Sequence, residues 1–265
     1  MEQLDRYREQ LKVCDEKILQ GLLERNRVVE EIMDCKEKNG MKILQPDQEA
    51  RQEAWLEEAL KGCRHQEEVR AVFDRIHWGS KRIQARKLFS YNIVLIGFMG
   101  AGKSTISEYL NTLFAMDVVE MDQLIAQREG MSIADIFEVY GEEYFRNLET
   151  ALLVEMQNRE NVVISCGGGT PLRECNVREM KKNGRVVLLC ADPETILERV
   201  KDSHERPLIE NNKNVEYIGR LMEKRREKYE AAADIVIHTD GKSALDICEE
   251  IVGKLLELDR REGRR

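Results

Sequence analysis

The chain has 265 residues, of which 42% are hydrophobic and 35% charged, with a formal net charge of −8 at pH 7. The charge is uneven: residues 1–89 carry 18 basic and 18 acidic side chains, the remainder 24 and 32. No strongly basic face results, which argues against a nucleic-acid partner. Seven cysteines without a C-x-x-C pair suggest reduced thiols and a cytoplasmic protein. The charged N-terminus and the lack of an apolar run near the roughly 18 residues of a membrane span argue against secretion and membrane insertion.

In chain order, residues 1–89 read as helical almost throughout. Leu4, Tyr7, Leu11, Cys14, Ile18, Leu22, Val29 and Ile32 or Met33 recur at three- and four-residue spacing, which predicts a first helix of roughly 35 residues. Asn39-Gly40 ends it, Pro46-Asp47 opens a second, shorter helix, Gly62 closes that one, and a third runs from about Gln66 to Lys87. A first helix this long overreaches its two partners, so a homodimer through residues 1–89 is expected. Arg8, Arg25 and Lys36 lie on it. At about 100° per residue, Arg25 and Lys36 fall within about 20° of one face and roughly 16 Å apart, while Arg8 points about 100° away.

From Ser90 the pattern changes. Short apolar strands at 93–96, 117–119, 162–165, 186–190 and 235–238 alternate with amphipathic helices, the signature of a five-stranded parallel sheet wrapped by helices. Between the first strand and the next helix lies Gly97-Phe98-Met99-Gly100-Ala101-Gly102-Lys103-Ser104, followed by Thr105. Glycines at this spacing let backbone N–H groups close around phosphate oxygens. Lys103 then reaches the outer phosphates and Ser104 offers a hydroxyl to Mg²⁺, so the segment predicts a nucleoside triphosphate site. Glu120 and Asp122 follow the second strand, at the carboxyl edge of the sheet beside that site. Arg146 and Glu149 share a helix face, a spacing that by itself usually marks a surface ion pair. Gly167-Gly168-Gly169 follow the third strand, and Arg206-Pro207-Leu208 has the look of a lid bearing a cation.

The order of phosphate loop, x-x-Asp122, Phe145-Arg146-x-x-Glu149, the three glycines, Arg206-Pro207-Leu208 and Met222-x-Lys224-Arg225 resembles the shikimate kinase family over about residues 91–255. The resemblance implies ATP as co-substrate on Gly100, Ala101, Gly102, Lys103, Ser104 and Thr105, with Arg199 stacked on adenine and Mg²⁺ near Ser104 and Glu120. It implies that Asp122 holds the attacking hydroxyl of shikimate and acts as base. Arg146 and Arg225 would grip the carboxylate, Gly167, Gly168 and Gly169 line the ring, and Lys103 and Arg206 stabilise the transferring phosphoryl group. Glu120 departs from the family's usual aspartate. Another small P-loop kinase, such as a gluconate kinase, is the rival reading.

Residues 2–88 resemble the all-helical chorismate mutase family through Arg8, Leu23-Glu24-Arg25, Lys36, Glu49 and Ser80-x-x-x-Gln84. The resemblance implies an intertwined dimer in which Arg8 reaches the partner's pocket, where it joins Arg25 and Lys36 on the carboxylates and ether oxygen of chorismate. Gln84 and Glu49 would hydrogen-bond the ether oxygen and the hydroxyl, with Ser80 beside a carboxylate. Gln45 and Gln48 stand where that family usually has an aspartate and an arginine. The expectation is thus a two-domain bifunctional enzyme, chorismate mutase at 1–89 and shikimate kinase at 90–265. The alternative makes the helical half a non-catalytic module that dimerises the kinase or senses chorismate or prephenate.

Overall fold

The apolar spacing from Leu4 to Met33 becomes one helix, α1 (Glu2–Lys38), in a computed structural model that describes residues 2–201 and 214–263. Glu2 and Asp5 in its first turn and Lys36 and Lys38 in its last complement the helix dipole. Gly40 (φ 60°) reverses the chain: its N–H donates to Glu37 O and that of Met41 to Lys36 O, the paired bonds that satisfy a helix C-terminus. Pro46 sits in the first turn of α2 (Pro46–Leu60), and α3 (Gln66–Leu88) completes the helical region.

The chain divides into two compact units, Met1–Lys87 and Leu88–Arg265. Within the first, few apolar side chains are covered: Val29 and Met33 of α1, Leu44, Leu56 of α2 and Ala85 of α3. Leu4, Tyr7, Leu11, Ile18, Leu19 and Leu23 stay 54–63% exposed. One copy of this unit therefore leaves most of the α1 stripe in water.

The second unit is built on β1 (Asn92–Gly97), β2 (Asp117–Glu120), β3 (Val162–Ser165), β4 (Gly184–Cys190) and β5 (Ile235–His238). They form one parallel sheet in the order β2-β3-β1-β4-β5. Every residue of β1 is buried, as the continuous apolar run of a strand covered on both faces demands. The helices are α4 (Lys103–Phe114), α5 (Met121–Glu129), α6 (Ile133–Met156), α7 (Glu174–Lys182), α8 (Pro193–Val200), α9 (Val215–Ala232) and α10 (Ala244–Arg261). Phe89 is fully buried against the rings of Tyr91 and Phe114. Helix α6 opens with a capping box between Ser132 and Asp135 and is broken at Gly141, whose φ 83° and ψ 165° only glycine adopts comfortably. Since β1 has β3 on one side and β4 on the other, the loop after β1 lies where the strand order reverses. That is the position at which open parallel sheets bind ligands.

Candidate active sites

The loop leaving β1 turns through Gly100 (φ 78°) and Gly102 (φ 98°) before α4 begins at Lys103. It borders a cavity of about 490 Å³ lined by Gly100, Ala101, Gly102, Lys103, Ser104 and Thr105, and across from them by Arg199, Thr239 and Lys242. Lys103 Nζ donates to Gly97 O at 3.0 Å and to Phe98 O at 3.1 Å, so the ammonium lies over the loop. Arg199 Nη1 donates to Gly100 O (3.2 Å) and to the hydroxyl of Thr239 (3.1 Å), which ties α8 and the end of β5 to the same loop. At the cavity's edge Ser104 Oγ donates to Glu120 Oε2 at 3.0 Å, and Ser107 Oγ to Glu120 Oε1 at 2.5 Å. One hydroxyl and one carboxylate fit a Mg²⁺ ion that keeps several waters and takes its other ligands from phosphates.

The three glycines after β3 approach the start of the phosphate loop. A Cβ on Gly167 would lie 2.6 Å from Asp122 Oδ1 and 3.0 Å from Glu149 Oε1, and one on Gly169 would overlap the Arg146 guanidinium. A Cβ on Gly168 would lie 3.7 Å from Arg225 Nη1 and 3.8 Å from Gly97 O. This bare stretch of backbone thus gathers Asp122 from α5, Arg146 from α6, Arg225 from α9 and the start of the phosphate loop. Arg146 is held by Glu149 (2.8 Å) and Glu142 (2.8 Å), and its guanidinium lies 5.5 Å from the centroid of Phe145. Arg225 lies 5.6 Å from the centroid of Phe98 and has no carboxylate partner among the described residues. Arg206 lies outside the described residues.

Taken by itself the Arg146–Glu149 spacing suggests a surface ion pair; in the structure the pair is covered. Glu149 is fully buried, accepts from Arg146 and from the hydroxyl of Thr170, and burial pushes its carboxyl above the usual range against the pull of those partners. Thr170 and Asn176, also fully buried, join it through Asn176 Nδ2 to Thr170 O at 3.0 Å. Tyr229, which the sequence reading passed over, donates to Gly168 O at 2.6 Å. Its place four residues after Arg225, on the same helix face, was the available signal.

In the helical unit, Arg25 Nη1 donates to Ser80 Oγ, whose own hydroxyl donates to Ile76 O at 2.9 Å. Lys36 Nζ donates to Ile43 O at 2.8 Å. Burial lowers the Lys36 ammonium below the ordinary lysine range, with the Glu49 charge pulling the other way, and burial lowers Arg25 as well. Glu49 forms a 3.0 Å pair with Lys81. Gln84 is half-buried on α3, Gln45 precedes α2 without capping it, and Gln48 is exposed. Contacts thus link α1 to α3 through Arg25 and Ser80 and α2 to α3 through Glu49 and Lys81. Arg8 is exposed and pairs with Asp5 on its own helix at 3.1 Å. Being 17 residues before Arg25, it sits about 25 Å further along the axis.

A phosphate loop at the switch point of a parallel sheet, facing a carboxylate and two arginines, defines a P-loop phosphotransferase for a small anionic substrate, here joined to an all-helical unit. The shikimate kinase family model matches residues 99–256 and the chorismate mutase type II model residues 7–85. The chain belongs to the shikimate kinase family and carries a chorismate mutase type II domain in front of it. The shikimate kinase of Persephonella marina is 44% identical over 164 residues, covering 62% of this chain and 98% of that protein. That of Dehalococcoides mccartyi is 41% identical over 172 residues, covering 65% and 97%. Among solved structures, Acinetobacter baumannii shikimate kinase in complex with shikimate matches with a TM-score of 0.59 at 32% identity, covering 63% of this chain and 93% of that one. The Aquifex aeolicus shikimate kinase matches with 0.54 at 40%, covering 62% and 95%.

Proposed function

We propose that the C-terminal unit transfers the γ-phosphoryl group of ATP to the 3-hydroxyl of shikimate and that the N-terminal unit rearranges chorismate to prephenate. The observation that carries the kinase half is the convergence of Asp122, Arg146 and Arg225 on Gly167-Gly168-Gly169 opposite the phosphate loop. Phosphoryl transfer asks for positioning and cations rather than covalent help, and a small carboxylate needs a charged clamp. Arg146 and Arg225 hold the substrate carboxylate, Gly167, Gly168 and Gly169 bound the ring, and Asp122 takes the proton of the attacking hydroxyl. Gly100, Ala101, Gly102, Lys103, Ser104 and Thr105 hold the phosphates, Arg199 adjoins the adenine, and Ser104 and Glu120 hold Mg²⁺, which neutralises phosphate charge. Arg206 supplies a second cation to the transferring group. Asp122→Asn keeps the shape of the site and removes the base. Shikimate-dependent ADP release should fall on the order of 10²–10⁴-fold with ATP affinity retained; loss of ATP affinity instead would remove Asp122 from this role.

The mutase reaction is pericyclic, so its catalyst must hold the compact conformer and place a cation where the breaking C–O bond gathers negative charge. Arg25 and Lys36 are the cations for this, with Gln84 and Glu49 on the ether oxygen and the hydroxyl, Ser80 beside a carboxylate, and Gln45 and Gln48 at the rim. Arg8 of the partner subunit completes the pocket. The bare apolar stripe of α1 supports a homodimer, since a second copy of the same helix is the surface that matches it. Ile18→Glu puts a charge into that stripe. By sedimentation velocity it should convert dimer to monomer and abolish chorismate turnover while shikimate phosphorylation continues. A monomeric wild type would overturn the dimer.

A cytoplasmic setting is supported by seven free thiols, and no helix among the described residues is long and apolar enough to cross a membrane.

A further inference from the structure

We infer that Lys81 is a substrate-binding cation of the mutase pocket, supplying the positive charge that Gln48 lacks. The inference rests on the mutase reading and adds a residue that the family pattern does not contain.

His77, Ser80, Lys81 and Gln84 are spaced i, i+3, i+4 and i+7, so they form one stripe along α3. Ser80 fixes where the stripe points, because it receives Arg25 from α1. One residue on, Lys81 is three-quarters buried and reaches across to Glu49 Oε2 at 3.0 Å, on the first turn of α2 beside Gln48. The charge of Glu49 also acts on Lys36. Arg25 of α1 is thus bonded to the residue before Lys81 on α3, and the carboxylate of Glu49 pairs with Lys81 while its charge acts on Lys36 of α1. His77 stands beside them: burial first and the Arg25 charge second lower it, the Asp74 charge opposes them, and the charges of Lys81 and Glu49 reach it more weakly. A neutral imidazole adds no charge to the pocket.

The electrostatic consequence follows from chorismate being a dianion. With Lys81, one protomer offers three cations against the carboxylates of Glu49 and Asp74, leaving one positive charge toward a substrate with two carboxylates. Without it none remains, and Arg8 of the partner subunit would have to supply the whole positive charge. An exposed Lys–Glu pair is worth roughly 0–1 kcal/mol and would need no further role. Lys81 differs in being mostly covered and in lying on the stripe that carries Ser80 and Gln84.

The test is the calorimetric dissociation constant for prephenate, measured on the full chain. Lys81→Met keeps the aliphatic stem and should weaken prephenate about 10–100-fold, the range for losing a hydrogen bond to a charged group. Lys81→Arg should retain the affinity, and Gln48→Arg added to Lys81→Met should restore much of it, because it returns a cation beside Glu49. A structural role for the pair would lower the melting temperature and leave binding intact. Unchanged affinity in Lys81→Met overturns the inference, as does a wild type that binds no prephenate. Lys81→Gln gives the same comparison if the methionine variant dimerises poorly. Chorismate turnover by the wild type, followed by its ultraviolet absorbance, tests the underlying reading separately. Prephenate binding through Lys81 without turnover would sink the mutase activity and keep Lys81 as a ligand-binding residue.

Discussion

Lys103→Ala should lower shikimate phosphorylation on the order of 10³-fold or more and leave chorismate turnover at its wild-type level. The ammonium now rests on the carbonyls of Gly97 and Phe98, at the start of the phosphate loop. Carbonyl partners are exchanged for phosphate oxygens at little cost, since charge-assisted bonds to an anion are stronger than bonds to a neutral acceptor. Once ATP is bound, the leaving and transferring phosphates gather negative charge that Lys103 alone among the loop's side chains meets with a full positive charge. The backbone N–H groups around Gly102 and the hydroxyl of Ser104 survive the substitution, so ATP should still bind, more weakly. ADP release coupled to shikimate and absorbance change with chorismate read the two activities on one preparation. Loss of both would mean that the substitution unfolds the chain or that the sites are not independent, and either outcome contradicts two sites assembled in separate compact units.

What the sequence made legible follows from how local the determining physics is. The phosphate loop is written in eight consecutive residues, so its setting was legible: β1 ends at Gly97 and the helix opens at Lys103 directly after Gly102. The five strands were readable because each is a short apolar run between polar turns, and β1 is buried along its whole length. The burial of Glu149 was not legible because an Arg–Glu pair three residues apart looks the same on an exposed and on a buried helix face. Its burial comes from the glycine stretch after β3, whose missing side chains let that loop close over it. Tyr229 and Lys81 were missed for a related reason. Each acts on a partner far away in sequence, Gly168 across 61 residues for Tyr229 and Glu49 on another helix for Lys81, and no periodicity within one helix reports such a contact. In the helical unit, spacing placed Arg25 and Lys36 on one face of the first helix. It could not show that Lys36 turns back onto Ile43 in the connection to α2.

Lys36→Ala is the converse experiment: chorismate turnover should fall on the order of 10²–10³-fold, the scale for removing one preorganised charge from a developing oxyanion, with shikimate phosphorylation unchanged. The side chain is half-buried, and desolvation is the larger influence on it, lowering its pKa; Glu49 opposes this by favouring the charged form. That balance fixes two further signs. The cation required for catalysis is present below the Lys36 pKa and is lost as pH rises through it. The alkaline limb of the mutase profile should therefore come at lower pH than an ordinary lysine would give, and Lys36→Arg, if active, should move it upward. For stability, a depressed folded-state pKa means that the charged lysine opposes folding at neutral pH. Its contribution becomes favourable above the unfolded-state pKa and is lost as pH falls through the folded one. Removing the charge by Lys36→Ala offsets the lost hydrogen bond to Ile43 O, so the melting temperature should change little while turnover collapses. A variant that lost turnover only in proportion to lost structure would make Lys36 a packing residue. A variant that kept turnover would leave the cation at the breaking bond to Arg25 or Lys81.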